Sequence, residues 1–218
     1  MKSRRIEQEN LLRHYVSLSG LLDILYEKRM VLGDPSEWED KNDQHVMNLY
    51  KDVSKLKTLR AICFAIGRET NHHWGRYGKG VDGACIEFKR QALLKSVPKT
   101  PTFRTSKVNY EYATTIKNEF RRFSNQDLPF LKRKAFQAEN EFRIIFASES
   151  ESVDERIVEI SFELDAIHRI LISPHMRPTS YGSVKKVIKD LSGSNGITVT
   201  QSKVFNNKDW QDAVDLIR

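Results

Sequence analysis

Cysteine is scarce in this sequence, which has Cys63 and Cys85 and no others. Each lies inside an apolar run, so we expect buried, inert thiols. Two isolated cysteines provide neither a disulfide framework nor a zinc-binding pattern. A reducing compartment, the cytoplasm, is the expected location.

Long apolar segments are also missing, since no run approaches the ~18 residues that span a membrane. The first ten residues, MKSRRIEQEN, are charged and lack the apolar core of a signal peptide. We therefore expect no membrane partner. Lysine and arginine exceed aspartate and glutamate by 36 to 29, a net charge of +7. Such a surface favours acidic partners, RNA or DNA above all, or an acidic protein.

The common phosphate-binding and hydrolase motifs are absent. The glycines between residues 75 and 83 match neither G-x-x-x-x-G-K-[ST] nor G-x-G-x-x-G, and there is no G-x-S-x-G. His72 and His73 are adjacent, so on a helix they point in different directions and make poor co-ligands. We therefore expect no metal site.

The order of elements predicts an α+β fold. Apolar and β-branched runs predict strands, and amphipathic segments predict helices, but the two do not alternate strictly. A split, mixed or mostly antiparallel sheet with helices around it fits this order. The 218 residues suit one domain. Within 1–218 we expect a loose basic arm over 1–10, a core over about 12–175 and a helix–strand–helix over 176–218.

A basic segment over residues 114–140 is predicted to be helical and to contact nucleic acid phosphates. Its candidate contacts are Lys117, Arg121, Arg122, Lys132, Arg133 and Lys134.

Three short segments combine polar and aromatic residues beside predicted strands: 13–17, 74–78 and 139–143. In the third, Glu139 and Glu141 are separated by one residue. If both lie on a strand, they share a face, because side chains alternate with period two. Two close carboxylates can divide catalytic roles. A strand edge with Glu141 paired to Arg143 is the structural alternative.

These segments occur in an order that resembles a bacterial family, the domain of unknown function 2971. The matching segments, in chain order, are HYVSLSGLLDILYEKRMVLGDPSEWED, AICFA, HHWGRYGKGVDGACIEF, AENEFRII and AIHRILISP, over about residues 12–175. The sequence departs from the family pattern at three positions. Val16 stands where the family has Thr, Ala65 where it often has Ser, and Phe142 where it has Trp. The family in turn resembles ADP-ribosyltransferases, especially bacterial toxins, and this implies an ADP-ribosyltransferase-like fold.

The resemblance implies NAD as a substrate and no metal. It assigns the catalytic acid to Glu141, with Glu139 as its neighbour. It assigns His14 to the NAD ribose, with Tyr15 and Ser17 flanking it. It places Trp74 or Tyr77 against the nicotinamide ring.

The implied activity is ADP-ribose transfer from NAD to RNA, DNA or protein, by a toxin or anti-phage effector that an acidic antitoxin protein could restrain. Two alternatives remain open from the sequence. One is a non-catalytic nucleic-acid-binding module. The other is a metal-independent nuclease using His14, Glu139 and Glu141, which requires these side chains on an exposed face.

Overall fold

The computed structural model describes residues 9–150, 157–191 and 196–217. The predicted basic arm lies outside these ranges except for its last two residues. The strands are β1 Leu11–Ser17, β2 Arg29–Val31, β3 Thr58–Ile66, β4 Gly83–Lys89, β5 Phe103–Lys107, β6 Asn109–Glu111, β7 Leu131–Arg133, β8 Glu141–Ser148, β9 Glu159–Ser161, β10 Ile167–Ile172 and β11 Thr198–Gln201. The α-helices are α1 Leu18–Glu27, α2 Lys41–Val53, α3 Asn71–Tyr77, α4 Arg90–Ser96, α5 Ala113–Asn118, α6 Pro178–Leu191 and α7 Lys208–Asp215.

The chain forms two compact units, each assembled from separate stretches of sequence. Unit 1 consists of the described parts of 1–28, 67–89 and 163–218, and unit 2 of those of 29–66 and 90–162. None of the helices in the described ranges combines the length and apolar character that crossing a membrane requires.

Unit 1 contains a mixed sheet with the strand order β11-β10-β4-β1. Strands β10 and β11 are parallel, whereas β4 pairs antiparallel with both β10 and β1. Helix α1 follows β1 directly because the Ser17 hydroxyl accepts a hydrogen bond from Gly20 N at 3.1 Å. This N-cap satisfies a backbone donor that the first helical turn leaves open.

Unit 2 contains an antiparallel sheet with β8 between β3 and β5. Short pairs join β2 to β9 and β6 to β7, the latter in parallel. Helix α2 packs on this sheet through Met47 and Tyr50, which meet Leu59, Phe130 and Ile145 in one apolar cluster. The α+β class with a mixed sheet, predicted from the sequence, is confirmed.

Residues 114–140 differ from the predicted helix. After α5 the chain continues through 3-10 segments at Phe120–Arg122, Asn125–Phe130 and Lys134–Glu139, interrupted by strand β7. Pro129 lies within the second segment, where it removes a backbone donor and limits helical continuation. The prediction of a helix over residues 114–140 is therefore wrong beyond α5, which ends at Asn118.

Both cysteines are free thiols, Cys85 fully buried and Cys63 half-buried. Burial raises the pKa of both, that of Cys63 to about 12. Such thiols are poorly nucleophilic at neutral pH.

Candidate active site

Strand β8 begins at Glu141, immediately after a sharp change in backbone direction. Asn140 has a left-handed backbone, φ 43°, and its side chain donates a 2.8 Å hydrogen bond to Ile66 O. Glu139 ends the preceding 3-10 segment. The expectation that both glutamates lie on one strand is therefore wrong, because the turn at Asn140 separates them.

The two carboxylates nevertheless converge, within unit 2, on one lysine. Lys132 Nζ donates to Glu139 Oε2 at 2.5 Å and to Glu141 Oε1 at 3.3 Å. It also lies 3.1 Å from Asp43 Oδ2. The two carboxylates are therefore brought together by the turn at Asn140 and not by alternation along one strand.

Arg143 completes this arrangement from the same face of β8 as Glu141. Its Nη2 donates to Glu141 Oε2 at 2.7 Å and to Asp43 Oδ2 at 2.5 Å, and its Nη1 donates to Pro129 O at 3.0 Å. The guanidinium lies 5.0 Å from the centre of the Trp38 ring. We call the five charged side chains the buried charge cluster: Asp43, Lys132, Glu139, Glu141 and Arg143.

Asp43 reaches the cluster because helix α2 places it in the first turn, on the face that carries Met47 and Tyr50. Asp40 caps this helix by accepting from Asn42 N at 2.9 Å. A carboxylate near a helix N-terminus is also stabilised by the helix dipole.

The cluster has three carboxylates and two cations, and it is enclosed. Glu141 is 8% exposed and Arg143 is fully buried. Burial alone would raise the pKa of Glu141, but the charges and hydrogen bonds of Arg143 and Lys132 outweigh it and hold that pKa below its usual value. Burial would likewise lower the pKa of Lys132, yet the neighbouring carboxylates raise it. Glu141 and Lys132 are therefore both ionised at neutral pH.

The two oxygens of Glu141 differ in their engagement. Oε2 accepts two bonds from Arg143, from Nε at 3.1 Å and Nη2 at 2.7 Å. Oε1 has the longer contact with Lys132 and retains the capacity to accept a further hydrogen bond. The backbone nitrogen of Glu141 donates to Tyr110 OH at 2.8 Å, which fixes the start of β8.

Lys132 was expected on a basic surface, but it is inside the buried charge cluster and cannot contact phosphates there. The other predicted contacts remain accessible: Lys117, Arg121, Arg122 and Arg133 are exposed, and Lys134 is half-buried. The expected basic surface therefore lacks one of its six members.

In unit 1, His14 and Tyr15 are neighbours on β1, where consecutive side chains point to opposite faces. Tyr15 pairs with Cys85 across the sheet, and His14 with Ile86. Both side chains are half-buried. Tyr15 therefore flanks His14 along the chain, and its side chain lies on the opposite face of the strand.

Trp74 belongs to the core of unit 1. It is 3% exposed and packs with Cys85 and Leu171. Its Nε1 donates to Glu69 Oε2 at 2.8 Å, and the Ser202 hydroxyl donates to the same oxygen at 2.6 Å. The Trp74 ring is therefore enclosed by core contacts. The half-buried Tyr77 is the better candidate for a contact with the nicotinamide ring.

Tyr15 extends this core. Its ring meets Trp74 edge-on at 5.2 Å and stacks on His73 at 5.7 Å, and burial raises its pKa. Ser17 has the structural role of capping α1. Tyr15 and Ser17 therefore support the shape of this part of unit 1.

Sequence reasoning did not find a second buried ion group in unit 1. Arg13, 1% exposed, places Nε and Nη2 each 2.8 Å from Glu87 Oε1, and the half-exposed Arg169 bonds the same carboxylate. The group carries one net positive charge. Register places Arg13 opposite Glu87, but the sequence alone does not reveal which strands pair.

At two positions of the 74–83 segment, Gly78 and Gly83, any side chain larger than that of glycine would clash with the backbone. A Cβ on Gly83 would lie 1.5 Å from Gly78 O, and one on Gly78 would lie 2.4 Å from Trp74 O. Glycine is therefore needed where the end of α3 approaches the start of β4. The described ranges contain no group of three or more His, Cys, Asp or Glu side chains arranged to hold a metal ion.

Comparisons with known proteins give one family and several solved structures. The chain is similar in fold to Thermus sp. 2.9 DarT in complex with carba-NAD+, with a TM-score of 0.45, 11% identity, and coverage of 93% of this chain and 98% of the other. For DarT in complex with NAD+ the TM-score is 0.46 and the identity 11%, with coverage of 93% of this chain and 98% of the other. For DarT in complex with ADP-ribosylated ssDNA the TM-score is 0.44 and the identity 12%, with coverage of 93% of this chain and 96% of the other. No curated protein matches.

The sequence profile of the family described as "Protein of unknown function (DUF2971)" matches residues 73–144. This range runs from His73 through Glu139, Glu141 and Arg143. The resemblance to DUF2971 that the motif order predicted is therefore confirmed over this part of the chain.

Proposed function

We propose that this protein is an NAD-dependent ADP-ribosyltransferase that modifies a macromolecule. The observation that supports this most directly is the carboxylate of Glu141. It lies at the strand position that the family resemblance assigns to the catalytic acid, and its charge and orientation are fixed by Arg143 and Lys132. A fixed, ionised carboxylate is the group that this chemistry requires.

In the proposed reaction the bond between the ribose C1′ and the nicotinamide nitrogen breaks, and nicotinamide leaves with the electron pair. The ribose acquires oxocarbenium character, and an N–H or O–H group of the acceptor bonds to C1′ and releases its proton to solvent. Glu141 Oε1 accepts a hydrogen bond from a ribose hydroxyl, and its negative charge stabilises the positive ribose. Lys132 and Arg143 position this carboxylate.

His14 is the proposed ribose contact in unit 1, and Tyr77 the proposed contact for the nicotinamide ring, which an aromatic face attracts because the ring is cationic. Trp74, with its ring inside the core, is proposed to support this part of unit 1 from behind. Glu139 shares Lys132 with Glu141 and is proposed to tune the charge around it.

The nuclease alternative is disfavoured on chemical grounds. A metal-independent nuclease needs a group that gains and loses a proton during catalysis. Despite its burial, the pKa of Glu141 is held below its usual value by Arg143 and Lys132, which suits a carboxylate that stays ionised. The non-catalytic nucleic-acid-binding module remains the rival, because exposed cations alone suffice for it.

A toxin or anti-phage role, restrained by an acidic antitoxin protein, is the proposed biological setting. Inducible expression in a bacterial host should arrest growth, and the Glu141→Gln variant should not. Equal toxicity of both forms would separate any toxic effect from ADP-ribose transfer.

The deciding experiment incubates the protein with NAD labelled in its adenylate part and a bacterial lysate, and then digests the products separately with nuclease and protease. We expect label in macromolecules for the wild type, and none for Glu141→Gln. Glu159→Gln is the matched control, because Glu159 is a half-exposed carboxylate paired with Arg29 in the same unit. If the folded wild type transfers no label to any fraction, the transferase proposal is wrong.

A further inference from the structure

Two large aromatic side chains of unit 2 are exposed at the two ends of helix α5. Tyr112 precedes the helix and is 61% exposed, and Phe120 follows it and is 62% exposed. Single exposed apolar residues are common on protein surfaces. Each of these rings, however, has a cation beside it: Lys134 Nζ lies 6.0 Å from the centre of the Tyr112 ring, and the Arg121 guanidinium lies 5.6 Å from that of Phe120.

The surrounding chain is strongly basic. Residues 104–134 contain eight lysines and arginines against three acids. The acids have local partners: Glu119 pairs with Arg122, Asp127 accepts from Ser124 N, and Glu111 accepts from Asn109. Of the eight cations, Lys132 belongs to the buried charge cluster and Arg122 pairs with Glu119, so six remain for a ligand. We call Tyr112, Lys117, Phe120, Arg121, Arg133 and Lys134 the aromatic–basic surface.

A groove of about 440 Å³ lies in the same unit, along strand β5. Its lining combines Arg104, Lys107 and Arg122 with the ring of Phe123. Arg104 is held in place, since it donates to Tyr50 OH at 3.1 Å and to Gln126 O at 2.7 Å. The volume lies within the ~300–1,000 Å³ typical of small-ligand sites. Its volume and its excess of three cations over the single acid, Asp127, are compatible with a nucleotide.

From these observations we infer that the aromatic–basic surface binds single-stranded nucleic acid. Exposed rings stack on bases, and the cations between them neutralise phosphates. A duplex would satisfy the cations but hide the faces of its bases, so the exposed rings favour unpaired strands. This deepens the proposed function and rests on it in one respect: the bound strand is the acceptor of ADP-ribose.

Binding is tested without NAD, so that its outcome is independent of transfer. Fluorescence anisotropy compares a labelled single-stranded DNA of mixed sequence, an RNA of the same sequence and the matching DNA duplex. We expect either single strand to bind at least about tenfold more tightly than the duplex. An effect of this size is typical of one base stacked on an aromatic side chain.

Two sets of variants separate stacking from charge. Tyr112→Ala and Phe120→Ala should each weaken single-strand binding by about five- to one-hundredfold, with the salt dependence unchanged. Lys117→Gln and Arg121→Gln should each reduce the slope of log affinity against log salt, by about 0.7 for each lost phosphate contact. Trp210→Ala is the matched control: Trp210 is 70% exposed but lies in unit 1 on α7, beside Asp209, and should leave binding unchanged.

Equal affinity for single strand and duplex would overturn the inference, as would full binding by the doubly substituted Tyr112→Ala, Phe120→Ala protein. Comparable binding of polyglutamate would also overturn it, because the surface would then recognise negative charge alone. Single-strand binding without transfer of labelled NAD would sink the proposed function and leave the binding surface standing. Transfer of label to protein, without single-strand binding, would support the proposed function and overturn the inferred binding surface.

Discussion

Arg143 and Glu141 project from the same face of strand β8, and Arg143 holds one oxygen of Glu141 with two hydrogen bonds, of 2.7 and 3.1 Å. Side chains two residues apart on a strand share a face, so this contact is built into the strand geometry. The carboxylate is thereby oriented by a neighbour on its own strand. Lys132 approaches its other oxygen at 3.3 Å.

Glu141→Gln should abolish transfer while leaving NAD binding nearly unchanged. The amide keeps the size of the side chain but lacks the negative charge that the transition state needs, so the loss should appear in kcat, by about 10²-fold or more. Turnover of labelled NAD and a thermal-shift titration with NAD measure the two effects. Glu139→Gln should have the milder effect on rate, since Glu139 acts through Lys132.

The comparison of the two glutamates also identifies a mistaken assignment. An inactive Glu139→Gln beside an active Glu141→Gln would reverse their roles. If both variants keep wild-type turnover, the buried charge cluster is structural and the catalytic group lies elsewhere.

Arg143→Met should lower the free energy of unfolding by about 3–5 kcal/mol, the usual cost of removing one partner from a buried ion pair. The loss leaves Asp43 and Glu141 buried with less compensation. Arg60→Met is the control, because its pair with Asp34 is half-exposed and should contribute only about 0–1 kcal/mol. Urea unfolding measures both variants, and equal costs would contradict the assignment of a special role to the buried cluster.

Stability should fall in acid more steeply for the wild type than for Glu141→Gln. The folded-state pKa of Glu141 lies below the ordinary value of 4.5, so its stabilising effect is fully present above that value and is lost as the pH falls through the folded-state pKa. Urea unfolding between pH 3 and 7 should show the two curves converging below about pH 4.5. Parallel curves over this range would mean that Glu141 titrates alike in both states.

Gly83→Ala should destabilise the protein by about 1–3 kcal/mol or more, because the added methyl group would overlap with Gly78 O. Gly182→Ala is the matched control within helix α6, where a Cβ meets nothing within 4 Å. Alanine favours helix there, so this variant should gain about 0.5–1 kcal/mol. Thermal unfolding distinguishes the two, and a neutral Gly83→Ala would show that the approach of α3 to β4 is adjustable.

The local elements could be predicted from the sequence wherever one physical signal dominated. The continuous apolar runs of β3 and β8 and the capped amphipathic helix α1 were found because burial and capping leave clear patterns. The segment 114–140 was missed because its basic residues lack an apolar stripe, and its turns depend on local contacts such as the Ser124–Asp127 capping pair.

The candidate site was only partly visible in the sequence. Glu141 and Arg143 lie close along the chain, so their pairing could be anticipated. Asp43 lies 100 residues from Arg143, and no sequence signal links the two before the packing of α2 on the sheet is known. The burial of Lys132 was missed for the same reason, since a lysine among other basic residues resembles a surface residue.

The discontinuous make-up of unit 1 has a consequence for synthesis on the ribosome. Strand β1 pairs with β4, more than 60 residues later, and β4 pairs with β10 after roughly 80 more. Its sheet therefore cannot close until residues 163–201 have left the exit tunnel, and pairings between distant strands form slowly. If the proposed NAD contacts of unit 1 are required, a nascent chain would carry the aromatic–basic surface well before it acquired the proposed transferase activity. Each round of translation would then leave an interval in which the proposed antitoxin could bind the nascent chain before it becomes active.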